Sequence, residues 1–377
     1  MTSNSPLTDR PVSRRWLLTT VPVAAIAIAG CGTSSSTSGT TPAASTSATA
    51  SWAAAAGSVA ALAQAFYTTL STTQKTTVLQ DYSLANAVRW SNLPQGLLTG
   101  GMGGGGQQSR IGLDLGDLSG GQLTSFMTLL QAATGTAKGQ GYDAINQLLN
   151  ADDYLAANGG GDSYGRGNYY VALLGSPQDK GTWEFQFGGH HMAVANTYVD
   201  GTLVGATPSF RGVEPNGKFT QNSQVNQPMA VKEAALGALL AGLSTDQLSR
   251  AKLSDVFTDL VLTPGQDWKF PTTREGVQVS TFSAAQKKLV LAGIASYVND
   301  IADADATKIL ATYRNELDDT YVAYSGSTSL TEQNDYIRID GPSVWIEFSM
   351  QHGIVLSGNH PHSVWRDRKT DYAGTKA

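Results

Sequence analysis

An α+β fold with a mainly antiparallel sheet is predicted by three features: repeated helix-capping signatures, aromatic strands of period two, and the order helices, strands, helices, strands. Four Ser-x-x-Gln pairs, Ser71/Gln74, Ser119/Gln122, Ser244/Gln247 and Ser283/Gln286, read as capping boxes. In each, the Ser hydroxyl accepts a free amide of the first turn and the Gln reaches back to the cap amide. Leu118/Leu123 and Leu243/Leu248 add hydrophobic staples to two of them. Helical period marks two more helices, Ala53–Leu70 and Ala306–Leu317, the second with Ile309, Leu310, Tyr313 and Leu317 on one face. That makes about six helices.

The strands fall into two separated blocks. The first is Tyr169–Leu174, Thr182–Val199 and Thr202–Val204, with Asp200-Gly201 as a hairpin turn. Trp183, Phe185 and Phe187 alternate with Glu184 and Gln186, the pattern of a half-buried strand. The second is Tyr321–Tyr324, Tyr336–Ile339, Val344–Phe348 and Gly353–Leu356, broken into a hairpin at Gly341-Pro342. One sheet built from both blocks brings them together in space.

The N-terminus reads as an export signal. Arg14-Arg15 precede an apolar run, Trp16–Ala29, too short for a stable span, which takes about 20 residues. Ile28-Ala29-Gly30-Cys31 resembles a lipobox, and Cys31, the only cysteine, is the expected lipidation site. Residues 1–31 are therefore assigned to a twin-arginine lipoprotein signal and residues 32–50 to a flexible Ser/Thr/Ala-rich linker. Residues 51–377 form a single globular α+β domain. The expected location is the extracytoplasmic face of the cell membrane, with the membrane as partner through Cys31.

Composition excludes other classes. The 377 residues carry a formal charge of −5; without residues 1–30, 22 basic side chains face 29 acidic ones, near −7. No basic cluster offers a nucleic-acid footprint. One cysteine allows no internal disulfide. Gly100–Gly106 is glycine-rich but lacks the Gly-Lys-Ser/Thr ending of a phosphate loop, and reads as a mobile loop. No Gly-x-Ser-x-Gly elbow is present.

All five histidines lie in or beside the strand blocks. His360 and His362 are two apart, so in an extended chain both rings face one side and can share a metal ion. His190 and His191 are adjacent and point to opposite faces of a regular strand, so one of them joins the pair unless Gly188-Gly189 bends the chain. Three histidines with an open fourth position is the usual catalytic zinc arrangement and also suits copper or iron. His352 is read as incidental. Glu347 and Asp367 are candidate carboxylates, although Glu184 and Glu347 on strands more often face solvent, and Arg366-Asp367 also reads as an ion pair.

These pieces resemble a bacterial family catalogued as domain of unknown function 3500. The resemblance rests on Trp90-Ser91-Asn92-Leu93-Pro94, Arg110-Ile111-Gly112-Leu113 with Asp117-Leu118, Gly141-Tyr142, Tyr170 through Pro177, Trp183 through His191, Pro208 through Pro215, and His360-Pro361-His362 through Asp367, with Asp371-Tyr372. It covers about Trp90 to Tyr372, and its most specific parts are Gly189-His190-His191 and His360-x-His362…Trp365-Arg366-Asp367. Pro361 departs from the larger residue expected there and favours an extended His360. The family lends no established activity. Glu214, in the Phe210–Pro215 motif, becomes a candidate ligand or base, with a simple turn as the alternative.

The leading expectation is a metal-dependent enzyme outside the cytoplasm, with zinc or copper on His190 or His191, His360 and His362. Glu214, Glu347 or Asp367 would move protons, and Arg366 would meet a negative substrate oxygen, in metal-assisted hydrolysis or oxidation. One rival is a non-catalytic metal-binding lipoprotein for copper or zinc, which would fill its coordination sphere with both His190 and His191 plus Met192. The other is a metal-free surface protein that binds ligands through Trp183, Trp345 and Trp365, and it requires that the histidines do not converge.

Overall fold

The structure, a computed structural model, describes residues 52–99 and 109–376. The export signal, Cys31, the linker and the 100–106 loop lie outside those residues. Ten α-helices are present among the described residues: α1 (Val59–Thr69), α2 (Thr72–Val78), α3 (Leu84–Ala87), α4 (Gln95–Thr99), α5 (Gly120–Ala132), α6 (Gly141–Leu155), α7 (Ala230–Ala241), α8 (Thr245–Ala251), α9 (Ala284–Val298) and α10 (Asp303–Asn315). All four capping boxes form, and start α2, α5, α8 and α9. Helix α1 begins at Val59, later than expected, because the Ser58 hydroxyl accepts the Ala61 amide and caps it there. The expected six helices thus fall short by four. Two of the missed helices, α6 and α7, follow Gln140 and Met229, which supply no side-chain cap.

The strands are β1 (Leu79–Gln80), β2 (Leu113–Asp114), β3 (Tyr170–Leu174), β4 (Thr182–Gly189), β5 (Met192–Val199), β6 (Thr202–Gly205), β7 (Ser209–Gly212), β8 (Phe219–Gln221), β9 (Gln224–Asn226), β10 (Val277–Gln278), β11 (Tyr321–Ser325), β12 (Tyr336–Asp340), β13 (Val344–His352) and β14 (Asn359–Asp367). Twelve form one sheet in the order β1-β3-β4-β5-β7-β14-β13-β12-β11-β10, with β2 beside β3 and β6 beside β5. Every pairing in it is antiparallel except β1 with β3. Strands of both blocks do share one sheet, but it also takes in β1, β2, β7, β10 and β14, all outside the expected strand ranges. No strand forms at Gly353–Leu356. Residues 353–358 are instead the β13–β14 turn, closed by the Gly353 amide donating to Gly358 O at 2.7 Å.

One face of the sheet carries the helices. Phe185 and Phe187 of β4 meet Phe126 of α5, and Trp365 of β14 meets Tyr313 of α10. The other face mixes buried polar groups with small apolar clusters and lies beneath the short α3 and irregular chain. There Gln186 donates to Ala87 O, and Glu347 accepts the amides of Val261 and Leu262. Glu184 and Glu347, which alternation alone places toward solvent, are therefore fully buried.

The two halves of the domain repeat each other. Tyr170-Val171-Ala172-Leu173-Leu174-Gly175-Ser176 is matched by Tyr321-Val322-Ala323-Tyr324-Ser325-Gly326-Ser327. The α2 and α5 caps interlock through Gln74 and Gln122, as the α8 and α9 caps do through Gln247 and Gln286. Gly112 and Gly276 occupy the same place, with φ of +99° and +101°, each so close to the next strand that a Cβ would lie 2.2 Å from Val171 O or Val322 O. The rungs Met192↔Arg211 and Val344↔Asp367 are equivalent, which makes Ser209 the counterpart of Trp365. Those two residues pair with each other in the β7–β14 ladder, so a local twofold axis passes through that rung.

Two predictions follow from this packing. Gly276→Ala adds a Cβ where both φ and Val322 O forbid it, and is expected to cost on the order of 2 kcal/mol or more in urea unfolding, with Gly112→Ala costing a similar amount. Burial pushes the Glu184 carboxyl from 4.5 up to about 7, against the pull of its Thr197 and Gln186 hydrogen bonds. Between those values the folded chain holds a proton that the unfolded chain has released, so Glu184 erodes stability as pH rises through that window. Glu184→Gln is expected to raise Tm at pH 8 and leave it nearly unchanged at pH 4.5.

Candidate metal centre

The tight β4–β5 hairpin places its two turn residues, His190 and His191, at the edge of the sheet. His191 adopts φ +61° there, its amide donating to Asn92 O and its carbonyl accepting from Gly212 N. Because these residues form the turn, their rings do not alternate across a strand. They stack, with centroids 3.7 Å apart.

From β14, two strands away across β7, His360 and His362 project toward the same point, as their two-residue spacing requires. The Nε2 atom of His362 lies 3.2 Å from Nε2 of His191 and 3.3 Å from Nε2 of His360. Metal–nitrogen bonds of about 2.0–2.1 Å at tetrahedral angles require nitrogens about 3.3 Å apart, so these separations fit such an ion. The three histidines form a group that can hold a metal ion. Gly212, paired with His362, makes the space: a Cβ there would lie 3.2 Å from Cδ2 of both His191 and His362.

The surroundings keep His191 and His360 neutral. Burial drives His360 down to about 3, assisted by His362, His190 and His352. Burial and the same crowd of imidazoles hold His191 well below its ordinary value. Neutral imidazole is the metal-binding form, so protons compete weakly for the nitrogens. His362 has a carboxylate behind it: its Nδ1 lies 3.1 Å from Asp259 Oδ1. A proton on Nδ1 shared with Asp259 leaves the Nε2 lone pair facing the other rings.

His190 stands outside the triad. Its Nδ1 is 2.7 Å from Asp152 Oδ1 of α6, and Tyr164 packs edge-on against its ring at 4.9 Å. Glu214 lines the same recess as His190, His191 and Gly212. Its Oε1 accepts the amides of Val355 and Leu356, which ties the β13–β14 turn to the recess.

The remaining expected residues are engaged elsewhere. Arg366, four residues along β14 from His362, is fully buried between Asp371 (2.7 Å) and Asp267 (2.9 Å), so its charge is already matched and does not await a substrate oxygen. Asp367 points to the helical face, where Tyr313 Oη donates to it and it accepts the amides of Lys369 and Thr370. Glu347 accepts four hydrogen bonds away from the histidines. Trp183, Trp345 and Trp365 are all buried, which removes them as a surface for ligands. Sequence reading missed Asp152 and Asp259. The first sits near the end of a helix with no capping signature, and the second in an irregular segment about a hundred residues from its partner.

Fold and site together define an internally repeated α+β domain with a three-histidine centre at one edge of its central pairing. Residues 53–374 match the family model described as Protein of unknown function (DUF3500), and the chain belongs to that family. No curated protein and no solved structure matches it.

The placement of Arg366 is testable. Arg366→Met leaves the buried Asp371 and the half-buried Asp267 without their countercharge and is expected to cost about 3–5 kcal/mol in urea unfolding. The metal bound per folded molecule should not change.

Proposed function

We propose that the protein is an exported, lipid-anchored, metal-dependent enzyme whose ion, zinc or copper, is held by His191, His360 and His362. The observation that carries this reading is the grouping of the three histidines, with His362 Nε2 at 3.2 and 3.3 Å from Nε2 of His191 and His360, spacings that suit a tetrahedral ion. Bound there, such an ion acidifies a water molecule toward neutral pH or, if copper, supplies an oxidative centre.

The chain's own groups fit that chemistry. His191 and His360 stay neutral and so present lone pairs at physiological pH. His362 is oriented by Asp259. His190, held through Nδ1 by Asp152 and stacked on His191, is the imidazole that would take a proton from water or return one to a leaving group. Glu214 lines that recess as a second acceptor. Hydrolysis is the favoured reaction class.

A non-catalytic carrier is the second reading, and the position of His190 argues against it. A carrier would fill its coordination sphere with both histidines of the pair, whereas here only His191 groups with His360 and His362, and His190 is held by Asp152. The setting outside the cytoplasm rests on the Arg14-Arg15 motif and Cys31. Among the described residues no helix is long and apolar enough to cross a membrane.

The deciding measurement is the metal content of untagged residues 50–377 beside the His360→Ala/His362→Ala variant. About one equivalent of transition metal, absent from the variant, supports the reading. Failure of the wild-type protein to take up zinc or copper on titration overturns it.

A further inference from the structure

The segment 253–276 crosses the polar face of the sheet without helix or strand, and it carries Asp259. What holds it there is a buried carboxylate one strand away from the histidines. Glu347 of β13 is fully buried and accepts four hydrogen bonds. Its Oε1 takes the Val261 amide at 2.6 Å and the Tyr336 hydroxyl at 2.7 Å. Its Oε2 takes the Leu262 amide at 3.0 Å and Trp345 Nε1 at 2.7 Å. The same segment is fastened on either side of Asp259. Phe257 stacks on the Tyr336 ring at 4.1 Å, and Leu260 enters an apolar cluster with Trp90, Ala193, Phe210 and Val364. Asp255 O accepts the Ser325 hydroxyl.

Asp259 is the residue of this stretch that turns to the centre, with Oδ1 on His362 Nδ1 and also on the Leu260 amide. It is 39% exposed, so burial does not fix it and its aim depends on the backbone that carries it. We infer that Glu347 is a positioning residue for the metal centre: by gripping the Val261 and Leu262 amides it sets Asp259 against His362, and so fixes which nitrogen of that ring carries the lone pair. This inference rests on the metal reading above.

The test uses the mature chain and zinc alone, with affinity taken from competition with a chelator. Glu347→Gln must turn an N–H toward one of the two backbone amides whichever way its amide is set, because each oxygen serves one of them. Both Glu347→Gln and Asp259→Asn are expected to weaken zinc about 10–100-fold, the usual effect of losing a carboxylate behind a ligating histidine. Because Glu347 acts through Asp259, the double variant should bind no more weakly than Asp259→Asn alone. Nitrogen NMR of His362 should show the Nδ1–H tautomer in the wild type and a mixture in either variant.

Unchanged affinity in folded Glu347→Gln, or equal further loss in the Asp259→Asn background, overturns the inference while leaving the metal reading in place. A wild-type chain that takes up no zinc removes both. Should Glu347→Gln fail to fold, Tyr336→Phe removes one of the four donors and keeps the ring stack. It is expected to give a smaller loss that likewise vanishes in the Asp259→Asn background.

Discussion

The arrangement depends on one strand pairing, β7 with β14. Each half of the repeat builds its own strip of sheet and helices, and these four rungs are where the strips become one sheet. The same rungs create the centre. His191 comes from the turn that feeds β5, which pairs with β7; Gly212 ends β7; and His360 and His362 lie on β14. No half contains the set by itself. A one-residue slip at this seam would turn both β14 histidines to the helical face, so the chemistry is tied to the register.

The polar face explains how a centre with little help from disulfides or charge can be rigid. Its buried carboxylates are used as hydrogen-bond acceptors for irregular chain. Glu347 holds residues 261 and 262, Glu214 holds 355 and 356, and Asp371 with Asp267 clamps Arg366. Each removes the desolvation cost of an amide or a guanidinium that would otherwise be buried alone. Segments without secondary structure thereby become fixed enough to aim side chains.

Much of this was legible in sequence where the signal is local. A Ser-x-x-Gln box involves four consecutive residues and needs no knowledge of the rest of the fold, so all four formed. The His360-x-His362 spacing encodes a shared face for the same reason. What failed was non-local. Alternation says that Glu184 and Glu347 lie opposite an apolar face, but not that irregular chain covers them. Asp152 and Asp259 join the centre only through folding, and Arg366-Asp367 divides between two faces, with each residue meeting partners that spacing cannot reveal. The repeat itself was present in Tyr170–Ser176 and Tyr321–Ser327, two nearly matching heptapeptides set far apart in the chain.

The counterpart of the histidine centre lies across the twofold axis, and there the chain has Ser343 in place of His191 and Arg368 in place of Gly212. The backbone bond is kept, with Arg368 N donating to Ser343 O at 2.8 Å as Gly212 N does to His191 O. The Arg368 side chain lies over Trp345 and Phe270 and pairs with Asp340. In evolutionary terms the molecule has the form of a symmetric dimer joined into one chain. A half-length ancestor would have had to cover its open strand edge with a second copy of itself. Within one chain the two lobes need not be identical, and one keeps the room for imidazoles while the other fills it with an arginine that braces the sheet.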